Sequence, residues 1–263
     1  RTHPVTGRYS FLGWDPFLVF QSKGNWVWVS DEKGRESMRG DPLKILKRLL
    51  APYRSPRYPK LPPFTGGAVG YVGYEARHFF EKLPAFAKDD VSVPDLFLLF
   101  VSRLVAFDHL ENRTWLIVNA DAETGEQGYR RALDELDTLE KELRRADASP
   151  LGDFPGIRAE DLDSNVSEKD FKWMVTRAKS YIQKGDIFQA NLSQRLSAPY
   201  RGSPYLLYEH LRSINPSPFA AFFDFGNFSI VSSSPERLLK KEDRRIETRP
   251  IAGTRPRGRD TFE

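Results

Sequence analysis

A Ser-Pro-Glu turn, Ser234 to Glu236, and the stretch Arg249 to Gly258 concentrate the chain's means of handling a small anion. The second stretch holds two glycines, two prolines and three arginines. Between them Leu238, Leu239 and Lys240 lead to a charged turn at Glu242-Asp243, and Arg245 to Thr248 return, which predicts a β-hairpin. A hairpin brings its ends together, so Glu236 and the Pro250 to Gly258 loop are expected side by side. One carboxylate beside guanidinium groups and glycine-exposed amides could hold a dianion and protonate it. A surface hairpin carrying ordinary ion pairs, with Glu236 bonded to Arg237 or Arg249, is the rival reading.

A second polar set lies upstream, in GDIFQANLSQRL from Gly185 to Leu196. Read as a strand, it puts Phe188, Ala190, Leu192 and Leu196 on one face and Gln189, Asn191, Ser193 and Arg195 on the other. A sheet face polar along its whole length is either solvated or the wall of a site. Ser167, with Asp170 three positions on, caps a helix before it. Phe171, Met174, Val175, Ala178, Tyr181 and Ile182 give that helix a stripe to bury, and Gly185 ends it. Ser203-Pro204 opens a further helix through Leu211. Phe219 to Phe225 and Phe228 to Ser233 pair through Gly226-Asn227, and so deliver Ser234, Pro235 and Glu236 to the site.

The first part of the chain reads as scaffold. Tyr9 to Val29 is strand-like, with a hairpin turn at Ser22 to Asn25 and Trp26 and Trp28 on one face. Asp41 caps a helix with Pro42 in its first turn and an apolar side of Leu43, Ile45, Leu46, Leu49 and Leu50. Pro52 to Pro63 holds five prolines and is a connector. TGGAVGYVGY, Thr65 to Tyr74, reads as a strand lying close to another backbone. A phosphate loop is the rival, but the Lys-Ser/Thr ending such loops need is missing. His78, among Arg77, Phe79 and Phe80, reads as structural. Asp95 to Phe107 and Arg113 to Ala120 are strands joined at Leu110 to Asn112, and Glu126 to Arg145 is an amphipathic helix. Ala146 to Ser164 is the expected linker. The fold expected is α+β, largely antiparallel sheet with helices outside. Residues 1–160 and 166–263 form the two regions, expected to share a sheet core.

The chain has 263 residues, 40% hydrophobic and 13% aromatic, enough for a real core. Zero cysteines exclude a disulfide framework and thiolate chemistry. The net charge of +4 comes from interspersed charges, densest only near Arg244 to Arg259, so neither a nucleic-acid partner nor a membrane is expected. With no signal-peptide pattern, the expected location is cytoplasmic. A start at Arg1 and an end inside a charged stretch at Glu263 are read as cuts through a longer protein.

SSSPERLL with TRPIAGTRPRG, GDIFQANLSQRL, and NPSPFAAFF at Asn215 to Phe223 resemble, in order, blocks of the chorismate-utilising enzymes. That family includes component I of anthranilate synthase and of aminodeoxychorismate synthase, and the isochorismate and salicylate synthases. GRYSFLGWDP and GGAVGYVGYEARHFFEKLP resemble it more thinly. The resemblance implies an anthranilate synthase component I-like fold, present in part. It makes Glu236 the general acid for a leaving hydroxyl, and Arg249, Ala252, Gly253 and Thr254 substrate-binding residues. Members that add water have a lysine base where this chain has Gln189, so Gln189 implies orientation of ammonia delivered by a glutamine amidotransferase subunit.

Two products remain open under the resemblance. FQANLSQR and SPERLL are similar to aminodeoxychorismate synthases, and the Tyr-Met pair of the anthranilate synthase feedback pocket is replaced by Phe219-Ala220. The reading therefore favours amination of chorismate to 4-amino-4-deoxychorismate, on the route to para-aminobenzoate and folate. Ala252, where that branch often carries a lysine, is the anthranilate synthase form. Anthranilate synthase component I and a non-catalytic truncated module are the alternatives. Asn215, Pro216, Ser217, Pro218 and Phe219 would line a regulatory pocket. The family's Mg²⁺ ligands are expected beyond Glu263, with no metal site in this chain.

Overall fold

The computed structural model describes residues 7–56, 58–86, 88–147, 152, 154–256 and 258. Two units divide the chain, Arg1–Ala148 and Ser149–Glu263. In the first, β1 (Tyr9–Gly13), β2 (Leu18–Lys23), β3 (Trp26–Asp31) and β4 (Gly34–Arg39) precede α1 (Pro42–Leu50). Then follow β5 (Gly67–Val72), β6 (Leu96–Val101), β7 (Arg103–Asp108), β8 (Arg113–Val118) and α2 (Gly125–Arg145). A five-stranded sheet has the order β4-β3-β2-β6-β5, a three-stranded one β1-β7-β8, and every pairing is antiparallel.

Strict alternation along β2 buries Leu18, Phe20 and Ser22, and they meet Val27, Leu96 and Phe100 in a core that Ile45 of α1 and Ala76 complete. Asp41 caps α1 as its sequence implies, accepting from the amides of Leu43 at 2.9 Å and Lys44 at 3.2 Å. The glycine-rich strand lies against another backbone: a Cβ on Gly70, at φ +153°, would stand 2.0 Å from the Phe97 carbonyl oxygen. The apolar run Asp95 to Phe107 is two strands in two sheets, broken at Ser102. The Asn119 amides hold that break, the backbone N–H and Nδ2 both donating to the Ser102 carbonyl at 2.8 Å.

The second unit holds β9 (Asp163–Ser164), α3 (Glu168–Lys184), β10 (Leu196–Ser197) and α4 (Pro204–Ile214). Two hairpins follow, β11 (Phe219–Asp224) with β12 (Ser229–Ser234), and β13 (Arg237–Glu242) with β14 (Arg245–Arg249). α4 lies on the first, where Tyr205 meets Phe222 edge-on at 5.6 Å. Ser167 caps α3, accepting from the Asp170 amide at 3.1 Å, and Gly185 closes it at φ +80°.

Three expectations are corrected. Each sheet among the described residues draws its strands from one unit, so the common sheet core is not seen. The strand expected over 187–196 is extended chain with one short pairing, Leu196 and Ser197 on Ser164 and Asp163. Alternation marks a face but supplies no ladder, and a strand needs a neighbour's amides and carbonyls; Phe188, expected inward, is 94% exposed. The α3 stripe is not buried either: Phe171, Met174 and Ala178 are half-buried, and Val175, Tyr181 and Ile182 are exposed. Among the described residues no helix is long and apolar enough to cross a membrane.

Candidate functional site

The hairpin β13–β14 does what its sequence implies. Arg237 at its start stands directly opposite Arg249 at its end, so the turn before β13 and the loop after β14 are adjacent. Glu236, exposed, accepts a hydrogen bond through Oε1 from the Ile251 amide at 3.0 Å. The carboxylate therefore sits on the residue next to Ala252, at the head of the glycine-bearing loop. Ala252, Gly253 and Thr254 are exposed beyond it.

The register slips between Arg237 and Lys240, since Arg237 faces Arg249 while Lys240 faces Glu247. This bulge puts one extra residue into β13 and turns its start, as bulges beside functional sites do. Leu238 and Leu239 are left exposed at 88% and 62%.

Arginines near Glu236 are bonded elsewhere. Arg237 Nη1 donates to Glu247 Oε1 at 2.5 Å, and Arg249 Nε donates to the same oxygen at 2.6 Å. The Arg249 guanidinium, against a smaller opposing effect of burial and with help from Arg237, holds the Glu247 carboxyl below the usual range. The Arg237 guanidinium also lies over the Phe219 ring, 5.3 Å from its centroid. Pairing of Glu236 with Arg237 or Arg249 is thus not what the structure shows, and Arg249, named for substrate, is held by Glu247. Glu247 escaped the sequence reading. Its signal was there: it sits two residues before Arg249 on the same strand face, facing two arginines that hairpin closure juxtaposes.

Asn215 to Phe219 form the turn from α4 into β11. The Asn215 amide donates to the Leu211 carbonyl at 2.8 Å, ending α4. Ser233 Oγ on β12 bonds the Asn215 carbonyl at 2.7 Å and Ser217 Oγ at 3.0 Å, fixing the turn against the hairpin. Pro216 and Pro218 are exposed, and Phe219 is half-buried beneath Arg237. Gln189 is exposed and its Nε2 donates to Asn191 Oδ1 at 3.3 Å. Gln189 and Asn191 share a face, as alternation implies, without a surrounding sheet.

Elsewhere, an open apolar depression of about 400 Å³ runs along α1, lined by Leu43, Leu46, Lys47, Leu50, Ala51 and Arg54, and includes none of these residues. His78 bonds Glu75 through Nε2 at 2.9 Å, a local structural contact. Among the described residues no group of three or more His, Asp or Glu side chains could hold a metal ion, so those present do not form an Mg²⁺ cage.

The model of the chorismate binding enzyme family matches residues 7–263. Anthranilate synthase component 1 of Acetivibrio thermocellus is 38% identical over 97% of this chain and 53% of its own length. That of Thermus thermophilus is 40% identical, over the same shares. The crystal structure of anthranilate synthase component I from Streptococcus pneumoniae superposes with a TM-score of 0.77 at 29% identity, over 90% of this chain and 52% of that one. The chain thus spans about half the length of these relatives.

Proposed function

Because the chain belongs to the chorismate-binding enzyme family, we propose that it is part of an anthranilate synthase component I, aminating chorismate with ammonia. The observation that carries this reading is the 38–40% identity, across 97% of the chain, to proteins of that name. Ala252 in PIAGT supports it. This replaces the aminodeoxychorismate product as the preferred reading. Residues 1–160 would form the regulatory-type region and 166–263 the first part of the chorismate-binding domain.

Chorismate carries two carboxylates, a ring diene and a hydroxyl that must leave. Expelling hydroxide near neutral pH is slow without a proton donor. Glu236 would give its proton to that oxygen, which departs as water as ammonia's nitrogen bonds the ring. Anthranilate then forms when the ring carbon bearing that nitrogen loses its proton and the enolpyruvyl ether leaves as pyruvate, its methylene carbon taking up a proton. Gln189 would orient the ammonia, which is already a nucleophile and needs no base. The amides around Ala252, Gly253 and Thr254 would take a substrate carboxylate. A glutamine amidotransferase subunit would supply the ammonia, since a chain without cysteine has no thiol for that hydrolysis. Mg²⁺, when bound, would neutralise charge on a substrate carboxylate, and the described residues do not form a cage for it.

The aminodeoxychorismate reading keeps in its favour the likeness of FQANLSQR and SPERLL to that branch, and Phe219-Ala220 where anthranilate synthases resemble one another in a Tyr-Met pair. One experiment decides between them. The chain is assembled with the portion of the Thermus thermophilus relative that it does not match, given chorismate, ammonium and Mg²⁺, and the product is identified by its fluorescence and mass. Anthranilate supports the proposal. 4-Amino-4-deoxychorismate moves the assignment to the second reading, and chorismate left intact by a folded assembly overturns both.

A further inference from the structure

We propose that Glu247 is a positioning residue that holds Arg237 and Arg249 away from Glu236, so that among the described residues neither arginine is ion-paired with it. The inference rests on the reading of Glu236 as the acid, and it follows from three contacts. One Glu247 oxygen accepts from both guanidinium groups, at 2.5 and 2.6 Å. Phe219 lies against the Arg237 guanidinium at 5.3 Å and gives it an apolar bed on that side. Glu236 Oε1 is tied instead to an uncharged donor, the Ile251 amide at 3.0 Å.

The charged groups on the elements beside Glu236 are Arg237, Lys240, Lys241 and Glu242 of β13, Arg245, Glu247 and Arg249 of β14, and, among the described residues, Arg255 of the loop. Lys240 is engaged by Glu242 at 3.0 Å. Arg237 adjoins Glu236 in the chain, and Arg249 lies two residues from the amide that Glu236 accepts from. Both long side chains can therefore reach it. An arginine beside a carboxylate favours its charged form and disfavours the acid. Glu247 meets that demand in advance. It also ties the Asn215 to Phe219 turn, through Phe219 and Arg237, to the hairpin that carries Glu236.

The test reads Glu236 itself. The chain, labelled with ¹³C at glutamate side chains, is titrated by NMR, and the Glu236 signal is assigned by Glu236→Gln. In Glu247→Gln the freed arginines should lower the Glu236 midpoint by about one pH unit, at the small end of what a neighbouring arginine does because the site is exposed. Glu247→Asp should restore it. If Glu247→Gln fails to fold because two guanidinium groups face each other unpaired, Glu247→Gln with Arg237→Gln leaves only Arg249 free and should show the same fall. A Glu236 midpoint unchanged in the folded variant, single or double, overturns the proposal. The titration is independent of turnover: a shifted midpoint in a chain whose assembly leaves chorismate intact would sustain the electrostatic role and remove the assignment of Glu236 as acid.

Discussion

Gly70 and Ser22 lie in the same sheet and are expected to respond in opposite directions. At Gly70 a methyl group would meet the Phe97 carbonyl oxygen at 2.0 Å, and φ is +153°, a conformation L side chains rarely adopt. Neither the strand pairing of β5 with β6 nor the backbone can yield without losing ladder bonds. Gly70→Ala should therefore destabilise the first unit by about 2–6 kcal/mol, the sum of overpacking and backbone strain, seen as a lower urea midpoint. An unchanged midpoint would mean the strands are not this close. Ser22 is fully buried, and its Oγ has no hydrogen-bond partner among the described residues. Burying an unpaired hydroxyl costs roughly 1–3 kcal/mol. Ser22→Ala removes that cost at nearly constant volume and should raise the midpoint, by about 1 kcal/mol. A clear fall would reveal a partner for this oxygen.

At the scale of elements, β1 is fastened to β7 by a half-buried ion pair at its start, between Arg8 and Asp108, as well as by its ladder. Arg8 donates to Asp108 from Nε at 3.0 and 3.1 Å and from Nη2 at 2.6 Å, and the amides of Leu110 and Glu111 bond the same carboxylate. The Arg8 guanidinium above all, opposed by burial and aided by those two amides, holds the Asp108 carboxyl well below the usual range. A carboxyl depressed in the folded state contributes stability in full above its unfolded value, near pH 4. That contribution is lost as the pH falls through the lower folded value. The urea midpoint of the first unit should drop between about pH 4 and pH 2, and Asp108→Asn should start lower at pH 6 and lose less. Equal pH slopes in the two proteins would rule out the pair as the cause. Elements with local signals were legible in sequence: the Asp41 and Ser167 caps, the Gly185 end, the glycine strand and the hairpin closing on Glu236. The edge strand β4 was not. It is exposed but for Met38, so it has no apolar alternation to read, and its place is set by pairing with β3. The ion pairs of the site were misread for a related reason, since cross-strand geometry, rather than adjacency in sequence, decides which carboxylate an arginine meets.

At the scale of the whole molecule, the residues that sequence assigned to a buried helix face and a sheet wall are the ones left uncovered. Ile182 is 43% exposed, Phe188 94%, Gln189 is exposed too, and α3 shows its apolar stripe half to solvent. An apolar stripe states that a face is to be covered, and says nothing of what covers it. Relatives roughly twice as long are named anthranilate synthase component 1, and this chain presents Glu236, Gln189 and the loop at Ala252 without a metal cage among the described residues. Amination needs an acid, a positioned nucleophile and neutralisation of the substrate's carboxylates at the transition state. Gln189 stands on chain that no ladder holds, so its aim is not fixed, and misplacement by about 1 Å can cost a hundredfold. Each absent electrostatic donor costs on the order of a further hundredfold. The 263-residue chain alone, incubated with chorismate, Mg²⁺ and ammonium at alkaline pH, should therefore form neither anthranilate nor 4-amino-4-deoxychorismate. Product that appears with the wild-type chain and vanishes with Glu236→Gln would overturn this, because the residues present would then suffice to neutralise, aim and protonate by themselves.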